Sequence, residues 1–210
     1  MDTRITVSLL IIFFATKVFA QTAGNPQAVR ETNFSSTGQW ANYGNDPGGM
    51  RFSPVSQINT SNVKNLKQVW SYQSGELKTY EGTSIASKAA FEATPLMVNG
   101  VIYFSTPTNR VIALDAGTGK EKWVYDPKVD LKRDYSEVTS RGVSKWINSA
   151  HQPGDDDYMR ILIATIDGRL IALSSETGKP VLSFGKKGTI DLKKDVGPIQ
   201  VTSPPAVIND

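Results

Sequence analysis

An internal repeat constrains the fold of this chain more than any other feature. The segment 110–120 (RVIALDAGTGK) matches the segment 169–179 (RLIALSSETGK) at seven of eleven positions, at a spacing of 59 residues. Self-similarity at a fixed period marks folds that are built from repeated supersecondary units, each of which needs its neighbours to bury its apolar faces. The chain is therefore expected to stack similar units side by side.

Short apolar runs separated by turn signals surround each copy of the repeat. The first group predicts strands at 95–98, 101–105, 111–115 and 122–125, and the Asn-Gly pair after the first strand predicts a tight hairpin. The second group predicts strands at 160–165, 169–173 and 181–184, after an apolar run at 142–146. Four-stranded antiparallel meanders of this kind are typical of β-propeller blades. The predicted fold class is all-β, with β-propeller blades.

The repeat units do not add up to a closed ring. Besides two whole blades, the sequence predicts an isolated last strand at 68–72, whose Trp70 and Tyr72 repeat the pattern of Trp123 and Tyr125, and an isolated first strand at 203–208. The only competing helix-like stretch is short and lies at 61–66. We therefore expect an incomplete propeller, belonging to a longer polypeptide.

The N-terminus carries the features of a secretory signal. Arg4 precedes an apolar stretch over residues 5–15, and Val18-Phe19-Ala20 places small or β-branched residues at a cleavage site. The apolar stretch is shorter than the roughly 20 residues that span a bilayer. The predicted organisation is a cleaved signal peptide at 1–20, a flexible mature N-terminus at 21–37 and the propeller part at 38–210. This organisation predicts an exported protein.

Composition excludes several classes of function. The chain has no cysteine, which excludes disulfides, thiolate metal sites, cysteine nucleophiles and a lipidated N-terminal cysteine. The formal charge of +3 gives no reason to expect a nucleic-acid partner. His151 is the single histidine, and the run 155–157 (DDD) lacks the spacing of a calcium-binding loop, so both are interpreted as parts of exposed loops.

Several motifs together resemble one enzyme family. They come in the order and spacing of the pyrroloquinoline-quinone (PQQ)-dependent dehydrogenases, and most resemble its glucose, quinate and polyol dehydrogenase branch. The motifs are 40–46 (WANYGND), 51–54 (RFSP), 91–96 (FEATPL), 113–120 (ALDAGTGK), 141–144 (RGVS) and 200–205 (QVTSPP).

The resemblance implies an eight-bladed quinoprotein propeller whose central channel holds PQQ and a calcium ion. It also implies oxidation of a sugar or polyol in the periplasm, with electrons passed to ubiquinone or a cytochrome. Glu92, Arg141 and Thr202 occupy the positions at which the family contacts its cofactor. A guanidinium suits the cofactor carboxylates because it pairs with them bidentately, whereas a glutamate beside a polyanion needs a shared proton or a cofactor N–H.

The chain also departs from the family pattern. The alcohol-oxidising branch has adjacent cysteines shortly before the arginine, whereas residues 135–140 (YSEVTS) contain none, which argues against that branch. No position matches the family's catalytic aspartate or its calcium ligands, so catalytic and metal-binding residues are expected beyond residue 210. The resemblance implies a soluble or peripherally membrane-associated relative. A non-catalytic propeller that serves as a scaffold or binding module remains the alternative.

Overall fold

The computed structural model describes residues 38–46 and 48–208. The predicted signal peptide (1–20) and mature N-terminus (21–37) lie outside the described residues. No helix among the described residues is long and apolar enough to cross a membrane. The strands are β1 (Leu96–Val98), β2 (Val101–Ser105), β3 (Val111–Asp115), β4 (Glu121–Tyr125), β5 (Ser144–Ile147), β6 (Met159–Ala164), β7 (Arg169–Ser174) and β8 (Thr189–Asp191). The helices are α1 (Glu76–Tyr80) and α2 (Lys193–Val196), with short 3-10 turns at Val63–Asn65 and Ala86–Lys88.

The strands form two four-stranded antiparallel sheets, in the orders β1-β2-β3-β4 and β5-β6-β7-β8. Val98 pairs with Val101 across the first hairpin, and the two residues between them, Asn99 and Gly100, have φ values of 51° and 75°. Two positive φ values are what a type I′ turn requires, and Asn-Gly supplies them at little steric cost. The predicted blade meanders and the Asn-Gly hairpin are confirmed.

The fourth strand of the second sheet differs from the prediction. Pro180 and Val181 begin to pair with β7, but the chain then turns away over residues 182–187 and pairing resumes at Gly188. Ala172 shows the interruption directly, since its C=O accepts from the Val181 N–H while its own N–H donates to Gly188. The strand predicted at 181–184 is wrong because an inserted turn displaces it to Thr189–Asp191.

The two isolated strands and the helix-like stretch also differ from the prediction. Neither 68–72 nor 203–208 forms a β-strand, because no neighbouring strand among the described residues completes a ladder with them. Pro204 and Pro205 further lack the N–H that pairing needs. The stretch 61–66 is a single 3-10 turn at Val63–Asn65.

The main hydrophobic core lies between the two sheets and draws equally on both. It comprises Leu96, Val98, Tyr103, Val111, Ala113 and Trp123 from the first sheet, and Val143, Met159, Ile161, Ile163, Ile171 and Leu173 from the second sheet and its entry segment. The alternating apolar side chains of each sheet thus bury one face against the other, as stacked blades do. The relative position of the sheets follows from this shared core.

A tryptophan from one unit packs on the turn of the next. The indole of Trp123 covers the Gly178 turn, and its Nε1–H donates to the Ser175 carbonyl at 2.9 Å. Trp70 makes the same contact one unit earlier, covering Gly119 and donating to the Ala116 carbonyl at 3.1 Å. The segment 68–72 therefore packs its tryptophan on a turn of the first sheet in the same way as β4 packs its tryptophan on a turn of the second.

Candidate cofactor-binding site

Three chain segments meet just before β1, just before β5 and at residue 202. The Thr94 N–H donates to the Arg141 carbonyl at 3.0 Å, and the Arg141 N–H donates to the Thr202 carbonyl at 2.7 Å. Because Thr94 precedes β1 and Arg141 precedes β5, these two bonds align the entrances of successive repeat units. The side chains that flank them are thereby brought to one place.

Arg141 is the centre of this place. Its Nε lies 3.1 Å from a carboxylate oxygen of Glu92, and its Nη1–H donates to the hydroxyl of Thr202. Two of the residues that the sequence singled out, which lie 49 and 61 positions away along the chain, therefore both contact the third, Arg141. The side chains of Arg141 and Glu92 are 33% and 41% exposed, so the cluster is open to solvent and to a ligand.

Glu137 completes the cluster and was missed by the sequence analysis. Its Oε1 accepts from Nη1 of Arg141 at 3.4 Å and from Nη2 at 3.3 Å. The available signal was the acidic–basic spacing of four residues between Glu137 and Arg141. That spacing brings side chains together on a helix, and nothing in the segment 135–140 predicts a helix.

Hydrogen bonds of Val138 and Ser140, which are both buried, fix the backbone that leads to Arg141. Val138 bridges two residues of the preceding segment, since its N–H donates to Lys88 at 2.9 Å and its C=O accepts from Ala90 at 3.0 Å. The buried hydroxyl of Ser140 donates to that of Ser105 at 2.7 Å, which ties the segment to the end of β2. These contacts fix the path of the chain up to Arg141.

A second hydrophobic cluster supports this segment. It is formed by Ile85, Tyr135, Val138 and Ile166, which lie in the loops outside the two sheets. Burial is the main cause that raises the pKa of Tyr135, whose hydroxyl donates to the Asp130 carbonyl at 3.0 Å. The loops that carry Glu137 and Arg141 thus have an apolar support of their own, separate from the core between the sheets.

Gly142 allows the close approach of the first two segments. Its φ is 144°, and a Cβ at this position would lie 3.0 Å from the Thr94 carbonyl oxygen. A side chain there would push apart the two segments that carry Glu92 and Arg141. Glycine is therefore required directly after the arginine by the packing of the site itself.

A cleft of about 330 Å³ lies next to the cluster along β5. It is bounded by Ser144 and Lys145, by the segment 204–208, and by residues of the N-terminal loop, namely Asn42, Tyr43, Gly44, Asp46 and Gly49. Burial lowers the pKa of the Lys145 ammonium group. Within the described residues, no group of three or more His, Cys, Asp or Glu side chains is arranged to hold a metal ion. His151 lies in the β5–β6 loop, 3.7 Å from a carboxylate oxygen of Asp155.

Comparison with known proteins agrees with the geometry. Residues 40–210 match the family model described as the PQQ glucose/ethanol/alcohol dehydrogenase β-propeller domain. The chain belongs to the PQQ-dependent dehydrogenase family. The two four-stranded sheets are accordingly β-propeller blades of this family.

Relatives include both sugar and alcohol dehydrogenases. The chain is 37% identical to the quinoprotein glucose dehydrogenase of Escherichia coli over 177 residues, which is 80% of this chain and 22% of the relative. It is 36% identical to the quinohemoprotein alcohol dehydrogenase ADH IIB of Pseudomonas putida, over 99% of this chain and 26% of the relative. The crystal structure of the quinohemoprotein alcohol dehydrogenase of Comamonas testosteroni superposes with a TM-score of 0.59 at 29% identity, covering 82% of this chain and 22% of that protein. The chain thus spans about a quarter of the length of these relatives.

The donor set of the cluster fits an anionic quinone. Arg141 donates three hydrogen bonds, to Glu137 and Thr202, and its Nε lies beside Glu92, so one of its five N–H groups, on Nη2, is left for another acceptor. The Thr202 hydroxyl accepts from Arg141, which leaves its own O–H to donate to a ligand oxygen. A partly exposed guanidinium beside an oriented hydroxyl is suited to bind a carboxylate and an adjacent carbonyl oxygen.

Proposed function

We propose that this chain forms the first blades of a periplasmic PQQ-dependent dehydrogenase that oxidises sugars or polyols and passes electrons to ubiquinone or a cytochrome. The observation that carries the proposal is the contact between Glu92, Arg141 and Thr202, which come from three successive repeat units. Propeller blades surround a central channel, and the proposal places this cluster at that channel.

The residues of the cluster have separate roles in this proposal. Arg141 binds a carboxylate of the cofactor, and Thr202 donates its hydroxyl hydrogen to a cofactor oxygen and so fixes the orientation of the ring. Glu92 holds the guanidinium from its Nε side and shares a proton with the ligand or accepts from a ligand N–H. When bound, the quinone supplies the two-electron acceptor for oxidising a hydroxyl to a carbonyl. The proposal assigns the substrate base and the calcium ligands to parts of the family's propeller that this chain does not span.

The sugar and polyol assignment has two supports. The chain is 37% identical to a quinoprotein glucose dehydrogenase, and the segment 135–140 has no adjacent cysteines. The alcohol dehydrogenase relative at 36% identity makes primary alcohols the necessary competitors in any assay. Location in the periplasm has the separate support of the signal-like residues 1–20.

The first test is cofactor binding and activity of the native protein. The protein is purified from its host without cofactor, titrated with PQQ in the presence of calcium, and assayed by dye reduction with aldoses, polyols and primary alcohols. We expect saturable binding and reduction with an aldose or a polyol. Binding without reduction by any substrate would favour the non-catalytic propeller, and reduction with primary alcohols alone would overturn the substrate class.

Arg141→Ala tests the site itself. We expect it to weaken PQQ binding by about 1.5–3 kcal/mol, the range for a charge-assisted hydrogen bond, measured by calorimetric titration. Arg133→Ala is the matched control, because it removes the same charge from the neighbouring exposed part of the loop, where the guanidinium lies over the ring of Tyr135. Equal affinities for the Arg141 variant and the wild type would remove Arg141 from the cofactor site.

Export is tested by sequencing the N-terminus of the protein recovered from the periplasmic fraction. A mature chain that begins at Gln21 is expected if the cut follows Ala20. Recovery of the intact N-terminus from the cytoplasm would reject the periplasmic location while leaving the cofactor site unaffected.

A further inference from the structure

Glu137 lies at the Nη1–Nη2 edge of the Arg141 guanidinium, which is the edge that binds a carboxylate bidentately. One oxygen of Glu137 accepts from both Nη1 and Nη2, at 3.4 and 3.3 Å. These two groups form the fork with which arginine binds carboxylates bidentately. Glu92 lies beside Nε, and Thr202 takes another Nη1 hydrogen. The chain's own Glu137 therefore occupies the position in which a ligand carboxylate would bind best.

The contact between Glu137 and Arg141 has the features of a weak one. Its two distances exceed the roughly 2.7–2.9 Å of strong charge-assisted hydrogen bonds. The Glu137 side chain is 45% exposed, so water screens the pair and can solvate the carboxylate when it leaves. A ligand carboxylate with better geometry can replace it.

The backbone allows this exchange without rearrangement of the site. Val138, the next residue, is buried and hydrogen bonded to both Lys88 and Ala90, so the chain path at Glu137 is fixed. Only the side chain of Glu137, which extends toward solvent, has to rotate. The displacement therefore costs rotamer freedom and one weak ion pair, while Arg141 keeps its backbone bonds to Thr94 and Thr202.

The cluster has more carboxylates than it has cations to pair with them. Two carboxylates, Glu92 and Glu137, share the single guanidinium of Arg141, which leaves one negative charge in excess. A ligand with several carboxylates meets this excess as repulsion until one of the glutamates moves away. Of the two, Glu137 holds the fork with the longer contacts and is the one to be displaced.

We propose that Glu137 is an internal competitor that occupies the anion-binding edge of Arg141 and is displaced by a carboxylate of the cofactor. The proposal rests on the proposed function, because it takes PQQ as the ligand of the cluster. Glu137 acts through Arg141 and is therefore a positioning residue. Its presence lowers the affinity of the site for the cofactor and keeps the guanidinium paired before the cofactor arrives.

The test measures PQQ binding to the native protein purified without cofactor, by isothermal titration calorimetry in the presence of calcium. Glu137→Gln keeps the size of the side chain and removes its charge, and we expect it to bind PQQ about three- to tenfold more tightly than the wild type. Glu81→Gln is the matched control, since it removes the same charge from an exposed position after α1, and it should leave the affinity unchanged. Circular dichroism verifies that each variant is folded, and Glu137→Ala carries the same expectation if Glu137→Gln is not folded.

A double-mutant cycle separates this role from a merely structural one. In the background of Arg141→Ala, Glu137→Gln should give little or no gain in affinity, because its effect passes through the guanidinium. Equal or weaker binding by Glu137→Gln in the wild-type background would overturn the inference, as would a gain that persists without Arg141. Failure of the wild type itself to bind PQQ would instead reject the proposed function.

Discussion

The packing of Trp123 on the Gly178 turn predicts a large and specific cost for one added methyl group. Gly178 has a φ of 68°, and a Cβ there would lie 2.5 Å from Cδ2 and 2.6 Å from Cε3 of the indole. The left-handed backbone costs an alanine about 1–2 kcal/mol, and overpacking against a fixed ring adds about 1–3 kcal/mol. Trp123 is 8% exposed and its indole N–H donates to the Ser175 carbonyl, so the ring has little room to move. We expect Gly178→Ala to destabilise the protein by about 2–5 kcal/mol.

Gly100→Ala measures the backbone part of this cost alone, so its difference from Gly178→Ala gives the steric part. Gly100 has a φ of 75° and no atom within 4 Å of an added Cβ, so only the backbone cost of about 1–2 kcal/mol applies. Gly119→Ala should lie between the two, because Trp70 covers Gly119 at the same 2.5 Å but is only half-buried and can shift toward solvent. The variants therefore rank by the mobility of the tryptophan that each methyl group meets.

The assay is urea denaturation followed by near-ultraviolet circular dichroism, which reports on the environment of the tryptophans. Midpoints are compared across the three variants and the wild type at one protein concentration, together with the slopes that test whether unfolding stays cooperative. Destabilisation of Gly178→Ala by no more than that of Gly100→Ala would refute the reasoning, since the indole would then yield to the methyl group without cost.

Two further predictions concern stability. Glu76 is buried, accepts a hydrogen bond from the Thr108 N–H at 2.7 Å and pairs with Arg110 at 3.3 Å. Glu76→Ala should therefore destabilise the protein by about 2–4 kcal/mol in the same denaturation assay. A change below about 0.5 kcal/mol would contradict this prediction. Burial and the hydrogen bond to Glu121 raise the pKa of Tyr72 to about 12, so the folded state keeps a proton that the unfolded state loses near pH 10. Stability should therefore fall as the pH rises from about 10 to about 12, and Tyr72→Phe should make that fall shallower in thermal melts across this range; an unchanged slope would contradict it.

Local sequence signals were sufficient for the parts of the fold that local chemistry determines. The strands Val101–Ser105 and Val111–Asp115 have the bounds that their alternation and flanking turns predicted. The strand at 181–184 failed because the repeat alignment implied an uninterrupted fourth strand, as in the first unit. Pro180 begins that pairing, but Gly185 and Gly188 both have positive φ and let the chain make an extra turn. Leu182, aligned with Trp123, is consequently exposed in that turn.

Three of the four members of the site were predictable from the sequence, but their contacts were not. Glu92, Arg141 and Thr202 were singled out by resemblance to a family, whereas their meeting depends on backbone bonds between segments 47 and 61 residues apart. No periodicity in one segment encodes such a distance. Glu137 escaped notice for the same reason, since its contact with Arg141 depends on a non-helical path fixed by Lys88 and Ala90.

The architecture links the stability of the blades to the affinity of the site. Glu92 precedes the first sheet and Arg141 precedes the second, so their contact holds only while the two sheets keep their relative position. The core between the sheets and the Trp123 contact with the Gly178 turn maintain that relative position. The pair Glu137–Arg141, in contrast, lies within one segment and does not depend on it. A variant that loosens the packing of the sheets, such as Gly178→Ala, should therefore separate Arg141 from Glu92 before it separates Arg141 from Glu137. This would leave the guanidinium to its internal competitor and weaken cofactor binding although no residue of the site has changed.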